Sequence, residues 1–285
     1  MTDSDWGRRW EAFGKGSFLK KTQQDHPEKW CDFYDQVADL WERMAGLSPG
    51  SAEVMAGTLA DQGFAPAGSS VLEIGCGPGN LSVALAACGC RVTAMDQSLG
   101  MIRVLKDKIR ATDSSGVAPL AADWGSLDAV RNHDLAIAAF FPEACCPQGV
   151  SRMEKLAKHA CVLVVGNGAP AFPFHRQIWT KVMDTPCPAA GDHLTCARNF
   201  LEQTGRSPVV QTLDLPAVLD VPFLRAREYF TSYFSMFGCP LPLLNKTIDQ
   251  VLEPHVKNGR IYYEGQSAVA MVCWTVPADS PLSGG

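Results

Sequence analysis

Ten consecutive residues constrain this chain most: Val71-Leu72-Glu73-Ile74-Gly75-Cys76-Gly77-Pro78-Gly79-Asn80. The apolar run at their start is the right length for one buried strand. The stretch from Leu81 to Ala87 that follows reads as a helix. Between the two lie three alternating glycines. Glycine adopts backbone conformations that other residues avoid and lets a partner come close to the main chain. The first amides of the following helix face the same place and favour negative charge there. A strand that turns straight into a helix needs a crossover to reach its next neighbour, which points to a parallel sheet covered by helices.

The rest of the chain repeats that rhythm. Arg91 to Met95 is a second strand, followed by a helix from Met101 to Ile109. A strand near Ala118 to Ala121 and a helix near Ser126 to Val130 come next, then a buried strand from Asp134 to Phe140. Val150 to His159 reads as a helix and Cys161 to Val165 as another buried strand. Strands alternating with helices over short connections predict a doubly wound α/β sheet. Beyond Gly168 the rhythm breaks. A proline-rich stretch at about 169–191 holds one helix, Arg176 to Met183, and a helix from Asp192 to Gln203 and a strand from Val209 to Leu215 follow. A second irregular-to-helical stretch, at about 222–258, precedes a final strand from Ser267 to Val276. These are read as two insertions near the C-terminal strands of one core, residues 65–285, not as a second domain.

Residues 1–64 differ in kind. Trp6, Trp10, Phe13, Phe18, Trp30, Phe33, Tyr34 and Trp41 are too many aromatics for a solvated tail. Trp30, Phe33, Tyr34, Val37, Leu40, Trp41 and Met44 recur at three- and four-residue steps, one face of an amphipathic helix. Ser48-Pro49-Gly50 ends it, and Ser51 to Leu59 forms another helix. The expectation is an N-terminal helical lid over the ligand cleft.

Open α/β sheets bind ligands outside the C-terminal ends of their strands, so an adenosine-type cofactor is expected at the glycine turn. The dinucleotide fingerprint G-x-G-x-x-G would need its third glycine at position 80, which is Asn80; here it comes one residue early, at Gly79, with Glu73 two residues before Gly75. This E-x-G-x-G-x-G pattern resembles the first motif of the class I S-adenosylmethionine-dependent methyltransferases. Asp96 at the end of the second strand, Met101 shortly after it, and Asp123-Trp124 after the third strand resemble that family's next landmarks, in order. The resemblance covers roughly Ser70 to Val165. It implies a Rossmann-like methyltransferase sheet with S-adenosylmethionine as cofactor. Glu73, Gly75, Gly77 and Gly79 would shape the methionine pocket, Asp96 would hold the ribose, and Met101, Asp123 and Trp124 would surround the adenine. Cys76, Asn80, Gln97 and Phe140 complete the expected contacts. Small-molecule members commonly carry a helical lid, which agrees with residues 1–64.

The methyl acceptor is expected past the fourth strand, at Phe140-Phe141-Pro142-Glu143-Ala144-Cys145-Cys146. This loop departs from the Asn/Asp-Pro-Pro-Tyr/Phe pattern of the relatives that methylate nucleic-acid bases. The net charge of −5 argues the same way. Glu143, the only acid in the loop, is the one candidate for a base or an amine-binding group, against its reading as an exposed loop carboxylate. Cys145 and Cys146 are read as ordinary thiols rather than a soft-metal or thiol-handling pair. His133, His159, His175, His193 and His255 are scattered, without metal-ligand spacing, and are read as surface or capping residues, less firmly for His175 and His193 in or beside the first insertion.

A chain that is 46% apolar and 19% charged can bury a sizeable core. Its longest apolar runs, such as Leu135 to Phe141, fall short of the roughly 20 residues of a membrane span. The acidic, polar start Met1-Thr2-Asp3-Ser4-Asp5 is unlike a secretory signal. Eleven cysteines, an odd number with no C-x-x-C pair, read as reduced thiols in a cytoplasmic protein. The expected partner is a small-molecule methyl acceptor, with no nucleic acid, membrane or metal. Oligomeric state is left open, a homodimer included. Two other functions fit less of the pattern: a non-catalytic S-adenosylmethionine-binding partner or sensor, and an oxidoreductase using a nicotinamide dinucleotide.

Overall fold

The structure is a computed structural model that describes residues 5–48, 50–128, 130–187 and 192–277. Eight strands form one sheet: β1 (Ser70–Ile74), β2 (Arg91–Asp96), β3 (Val117–Ala121), β4 (His133–Ala139), β5 (Ala157–Gly166), β6 (Val209–Pro222), β7 (Val256–Lys257) and β8 (Arg260–Thr275). Their order is β3-β2-β1-β4-β5-β8-β6, with β7 paired to β8. Strands β1 to β5 are parallel, while β8 runs antiparallel to both β5 and β6. Chain order reverses at β1, which lies between β2 and β4. A crevice therefore opens beyond the C-terminal ends of β1 and β4.

Eleven helices are described: α1 (Trp6–Lys15), α2 (Phe18–Asp25), α3 (Pro27–Met44), α4 (Ser51–Asp61), α5 (Asn80–Ala87), α6 (Leu99–Thr112), α7 (Pro147–Leu156), α8 (Phe174–Val182), α9 (His193–Gln203), α10 (Phe223–Ser235) and α11 (Leu241–Leu252). Side chains alternate faces along a strand, and here both faces are apolar. Val71, Leu135, Val162, Val164 and Met271 pack with Met55 and Leu59 of α4, Leu85 of α5 and Leu105 of α6. Leu72, Ala136, Leu163, Val165 and Val272 pack with Trp10 of α1, Met153 of α7 and Leu201 of α9. This two-sided burial explains the near-continuous apolar strands and the doubly wound fold that they predict.

A third cluster lies over the C-terminal edge of the sheet. Trp30 and Phe33 of α3 meet Phe174 and Trp179 of α8, Tyr229, Phe230 and Phe234 of α10, and Leu244 and Ile248 of α11. The stretch read as a single N-terminal lid thus divides. Helix α1 covers one sheet face, where Trp10 is 1% exposed. Helix α4 covers the other face, with its first turn at the crevice, and α2 and α3 lie beside the crevice. The two insertions come together with α3 in one aromatic body. Residues 1–4, Pro49, residues 188–191 at the end of the first insertion, and residues 278–285 of the expected core lie outside the described residues.

Several element boundaries differ from expectation. No helix forms over 126–128, where one 3-10 turn, Trp124–Ser126, stands instead. Arg152 explains this: its guanidinium donates to the carbonyls of Trp124, Gly125 and Leu127 at 2.7, 3.0 and 2.9 Å, drawing them away from helical partners. Helix α7 ends at Leu156, because Ala157 already pairs with His133 of β4. Strand β4 ends at Ala139, and Phe140 turns into the left-handed region at φ 52°. Strands β6 and β8 run far past their predicted ends, pairing without break from Val209–Cys273 to Pro222–Arg260. Pro216 does not stop β6, because β6 is the sheet edge and needs no further ladder bond there.

Candidate functional site

The glycine turn sits at the C-terminal end of β1. Gly75, Gly77 and Gly79 have φ of 66°, 55° and 78°, the left-handed region where a side chain is strained. At Gly75 a Cβ would also stand 2.5 Å from the Phe141 ring. Cys76 N donates to Met95 O at 2.8 Å, which ties the turn to β2. The Gly77 amide donates to Asp96 Oδ2 at 2.8 Å, and the Ser98 amide to Asp96 Oδ1 at 2.9 Å. Burial raises the Asp96 carboxyl above its ordinary value, with the two amides opposing that shift. Each Asp96 oxygen keeps a lone pair free for a further donor. Beneath the turn, Glu73 is 2% exposed and accepts from the Ser82 hydroxyl. Burial pushes its carboxyl up to about 7.

A cavity of about 840 Å³ lies between these strand ends and the aromatic body. Eleven of the twelve expected cofactor residues line it: Glu73, Gly75, Cys76, Gly77, Asn80, Asp96, Gln97, Met101, Asp123, Trp124 and Phe140. Gly79 does not. A Cβ there would run into Leu105 of α6, so this glycine serves helix packing. Asp123 caps the short turn after β3 by accepting from the Gly125 amide. Trp124 is held between the Arg152 guanidinium, 5.0 Å from its ring, and Phe141 at 5.9 Å. Asn80 accepts from Lys108, which also pairs with Glu42 at 3.1 Å.

Glu143 lines the cavity at an exposed position. Partial burial and nearby Asp123 raise its carboxyl, and Lys20 partly offsets them. Cys145 and Cys146 do not line it. Cys145 is buried with its thiol pushed up to about 12, and Cys146 Sγ accepts from Gly149 N to cap α7. Both positions are accounted for by packing and capping. Among the described residues no group of three His, Cys, Asp or Glu is arranged to hold a metal ion, and no helix is long and apolar enough to cross a membrane.

His175, Ser48 and Ser51 carried no legible signal as lining residues, whereas Tyr34 and Trp41 were expected near the cleft. His175, read as a surface or capping residue, lies in the cavity wall beside Phe174, Tyr229 and Phe230. Tyr34 and Trp41 of α3 reach the same space. So do Ser48 and Ser51, whose buried hydroxyls have no hydrogen-bond partner among the described residues. Buried hydroxyls without partners are costly, and here both border a cavity that can hold a ligand. The other histidines lie elsewhere: His193 Nδ1, for example, accepts from Trp10 Nε1 at 3.3 Å.

Residues 71–160 match the family described as methyltransferase domain. Over 75 residues the chain is 36% identical to malonyl-[acyl-carrier protein] O-methyltransferase of Salmonella typhimurium, a stretch covering 26% of this chain and 28% of that protein. The structure described as "Conversion of a Disulfide Bond into a Thioacetal Group during Echinomycin Biosynthesis" is similar at a TM-score of 0.50 and 16% identity, over 84% of this chain and 86% of that one. Magnesium protoporphyrin IX methyltransferase from Synechocystis PCC 6803, solved with bound SAH, is similar at 0.47 and 15% identity, over 97% and 95% of the two chains. Residues 71–160 thus carry a methyltransferase domain, set in a Rossmann-like sheet.

Proposed function

We propose that this protein transfers a methyl group from S-adenosylmethionine to a small molecule held in the same cavity. One observation carries the reading: the ends of β1, β2 and β3 deliver the glycine turn, Asp96 and Asp123-Trp124 to a single cavity whose other side is aromatic. The residues suit the cofactor. The free lone pairs of Asp96 match a ribose diol, and charge-assisted bonds of this kind are the stronger ones. At Gly77 a Cβ would stand 3.9 Å from Trp41, filling the space between the turn and α3 that a ligand needs. Met101, Trp124 and Phe140 offer apolar surface to an adenine. Asp96, Asp123 and Glu143 complement a cofactor of net positive charge.

When bound, this cofactor supplies a methyl group on a sulfonium that departs as a neutral thioether. The chain then has to hold the acceptor in line and keep water out, which orientation alone can make effective. Residues 65–285 are the proposed catalytic core, with α2 and α3 of residues 1–64 and the two insertions enclosing the acceptor. An enclosed pocket favours a small acceptor. Nucleic acid is disfavoured by net charge, and a cytoplasmic setting agrees with the free thiols. The test is thermal unfolding with S-adenosylmethionine, S-adenosylhomocysteine and a nicotinamide dinucleotide, because a ligand that binds only the folded state raises Tm. Both sulfur compounds should raise it at millimolar concentration. A rise with the dinucleotide alone would overturn the proposal, and binding of both without turnover of any metabolite would favour the sensor.

A further inference from the structure

We propose that the aromatic end of the cavity takes an uncharged aromatic ring bearing a hydroxyl or amino group, with His175 as the catalytic residue that accepts that group's hydrogen bond and then its proton. The inference rests on the methyl-transfer reading above and names its substrate class.

Three observations lead to it. The first is the wall itself. Trp30, Phe172, Phe174, His175, Tyr229 and Phe230 line this end and carry no formal charge at neutral pH. The acids Glu73, Asp96 and Asp123 line the cavity too, but at the ends of β1, β2 and β3. An apolar wall of flat rings accommodates a flat ring, and a charged group placed there would lose its hydration without a counterion.

The second is the state of His175. Its ring is fixed by Tyr233 edge-on at 4.6 Å, by Phe234 stacked at 5.4 Å and by Trp179 at 5.7 Å. None of these is a hydrogen-bond partner for its nitrogens, and among the described residues none forms a hydrogen bond to either one. Burial, with no charged neighbour contributing, pushes the imidazole down to about 4. Tyr233, which touches the ring, and Tyr229, which lines the same cavity, are both raised by burial and neutral. The ring is therefore neutral at physiological pH, with one nitrogen able to accept and none of the described groups supplying a donor.

The third is the chemistry that such a weak base permits. As a hydroxyl oxygen's lone pair forms the new C–O bond, the S–C pair stays with sulfur and the O–H proton passes to the unprotonated ring nitrogen. The oxygen becomes strongly acidic as that bond forms, so a weakly basic imidazole suffices. A methylated arylammonium is a much weaker acid than that oxonium, yet it holds its proton about as loosely as this imidazolium does, so the transfer is nearly balanced. An alkylamine allows no such transfer, because its ammonium holds the proton far more tightly than this histidine would.

The test is calorimetry on the full chain saturated with S-adenosylhomocysteine, using phenol, aniline, toluene and benzylamine as probes. Phenol and aniline should bind at least tenfold tighter than toluene, and benzylamine more weakly than either. His175→Phe, which keeps an aromatic ring in the shell, should reduce phenol to the affinity of toluene and leave S-adenosylhomocysteine binding unchanged. Phenol no tighter than toluene, benzylamine the tightest probe, or phenol bound equally by His175→Phe would each overturn the inference. The phenol-to-toluene ratio is read on the unaltered protein, so it decides the matter even if the variant does not fold. Failure of S-adenosylhomocysteine itself to bind would overturn the methyl-transfer reading instead.

Discussion

Glu73 offers a sharp test of how the glycine turn is built. Its carboxyl is 2% exposed and has the Ser82 hydroxyl as donor. Burial lifts it from the ordinary 4.5 to about 7. Between those values the folded protein keeps a proton that the unfolded chain has released. Stability is therefore greatest below about pH 4.5 and falls as pH rises toward 7. At about 1.4 kcal/mol per pH unit, the loss amounts to about 3 kcal/mol. Glu73→Gln removes the titration and keeps an oxygen to accept from Ser82. Urea unfolding should give nearly equal stabilities for variant and wild type at pH 5, and a variant more stable by about 3 kcal/mol at pH 8. Asp96 and Glu143, also raised, act in the same direction, while the lowered His133, His175 and His193 make stability rise with pH. The difference between variant and wild type cancels these common terms wherever they are not coupled to Glu73. A constant gap from pH 5 to pH 8 would refute the reasoning, since Glu73 would then ionise as an exposed carboxylate does.

Asp96→Ala removes the acceptor of two amides and of the proposed ribose contacts. With charge-assisted bonds worth about 1.5–3 kcal/mol each, calorimetry should show S-adenosylhomocysteine affinity down at least tenfold. Gly79→Ala strains a φ of 78° and meets Leu105 without touching the cavity, so denaturation should show a loss of at least about 1 kcal/mol. Once folded, that variant should bind S-adenosylhomocysteine nearly as wild type does. Helix α2 buries none of its residues, whereas α3 buries Trp30, Phe33, Val37, Ala38 and Leu40. Hydrogen exchange should therefore slow on S-adenosylhomocysteine binding in Phe18–Asp25 more than in Pro27–Met44; equal slowing would mean that the two helices open together.

That the glycine turn and the strand-end carboxylates would meet was legible because backbone geometry dictates it. A turn with three residues at positive φ calls for glycine, and carboxylates at strand ends recur wherever a parallel sheet opens toward a ligand. Gly79 shows the limit of that logic: its spacing belongs to the motif, yet what it serves is Leu105. On the aromatic side the way individual residues meet was not legible, because they come together only in three dimensions. Trp30, His175 and Tyr229 come from an N-terminal helix and two separate insertions. His175 stands in a proline-rich stretch with no periodicity to say which way it faces. Strand β6 runs past its expected end at Leu215 and through Pro216, which a sheet edge tolerates and a central strand does not. The missing helix after Trp124 depended on Arg152, whose reach to three carbonyls no local pattern announces.

Helix α3 joins the two sides, and its anchoring bears on how ligands enter. Asp35 accepts from the Ser98 hydroxyl and from the Gly100 amide, the latter at 2.8 Å, at the start of α6. Ser98 in turn gives its amide to Asp96. A Cβ on Gly100 would lie 2.6 Å from Asp35 O, so the two helices touch backbone to backbone. The other side of α3 is bound to α10 by Trp30 against Tyr233 at 5.9 Å and by Phe33 against Tyr229 at 5.6 Å. Asp39 adds an ion pair to Arg225 at 2.6 Å. Moving α3 outward would break all of these together, including the cap on the helix that follows Asp96. Helix α3 is better understood as a fixed wall that registers the aromatic end against Asp96. Opening then falls to α2, which buries no residue, yet sends Gln23 to the cavity and to the Tyr34 hydroxyl.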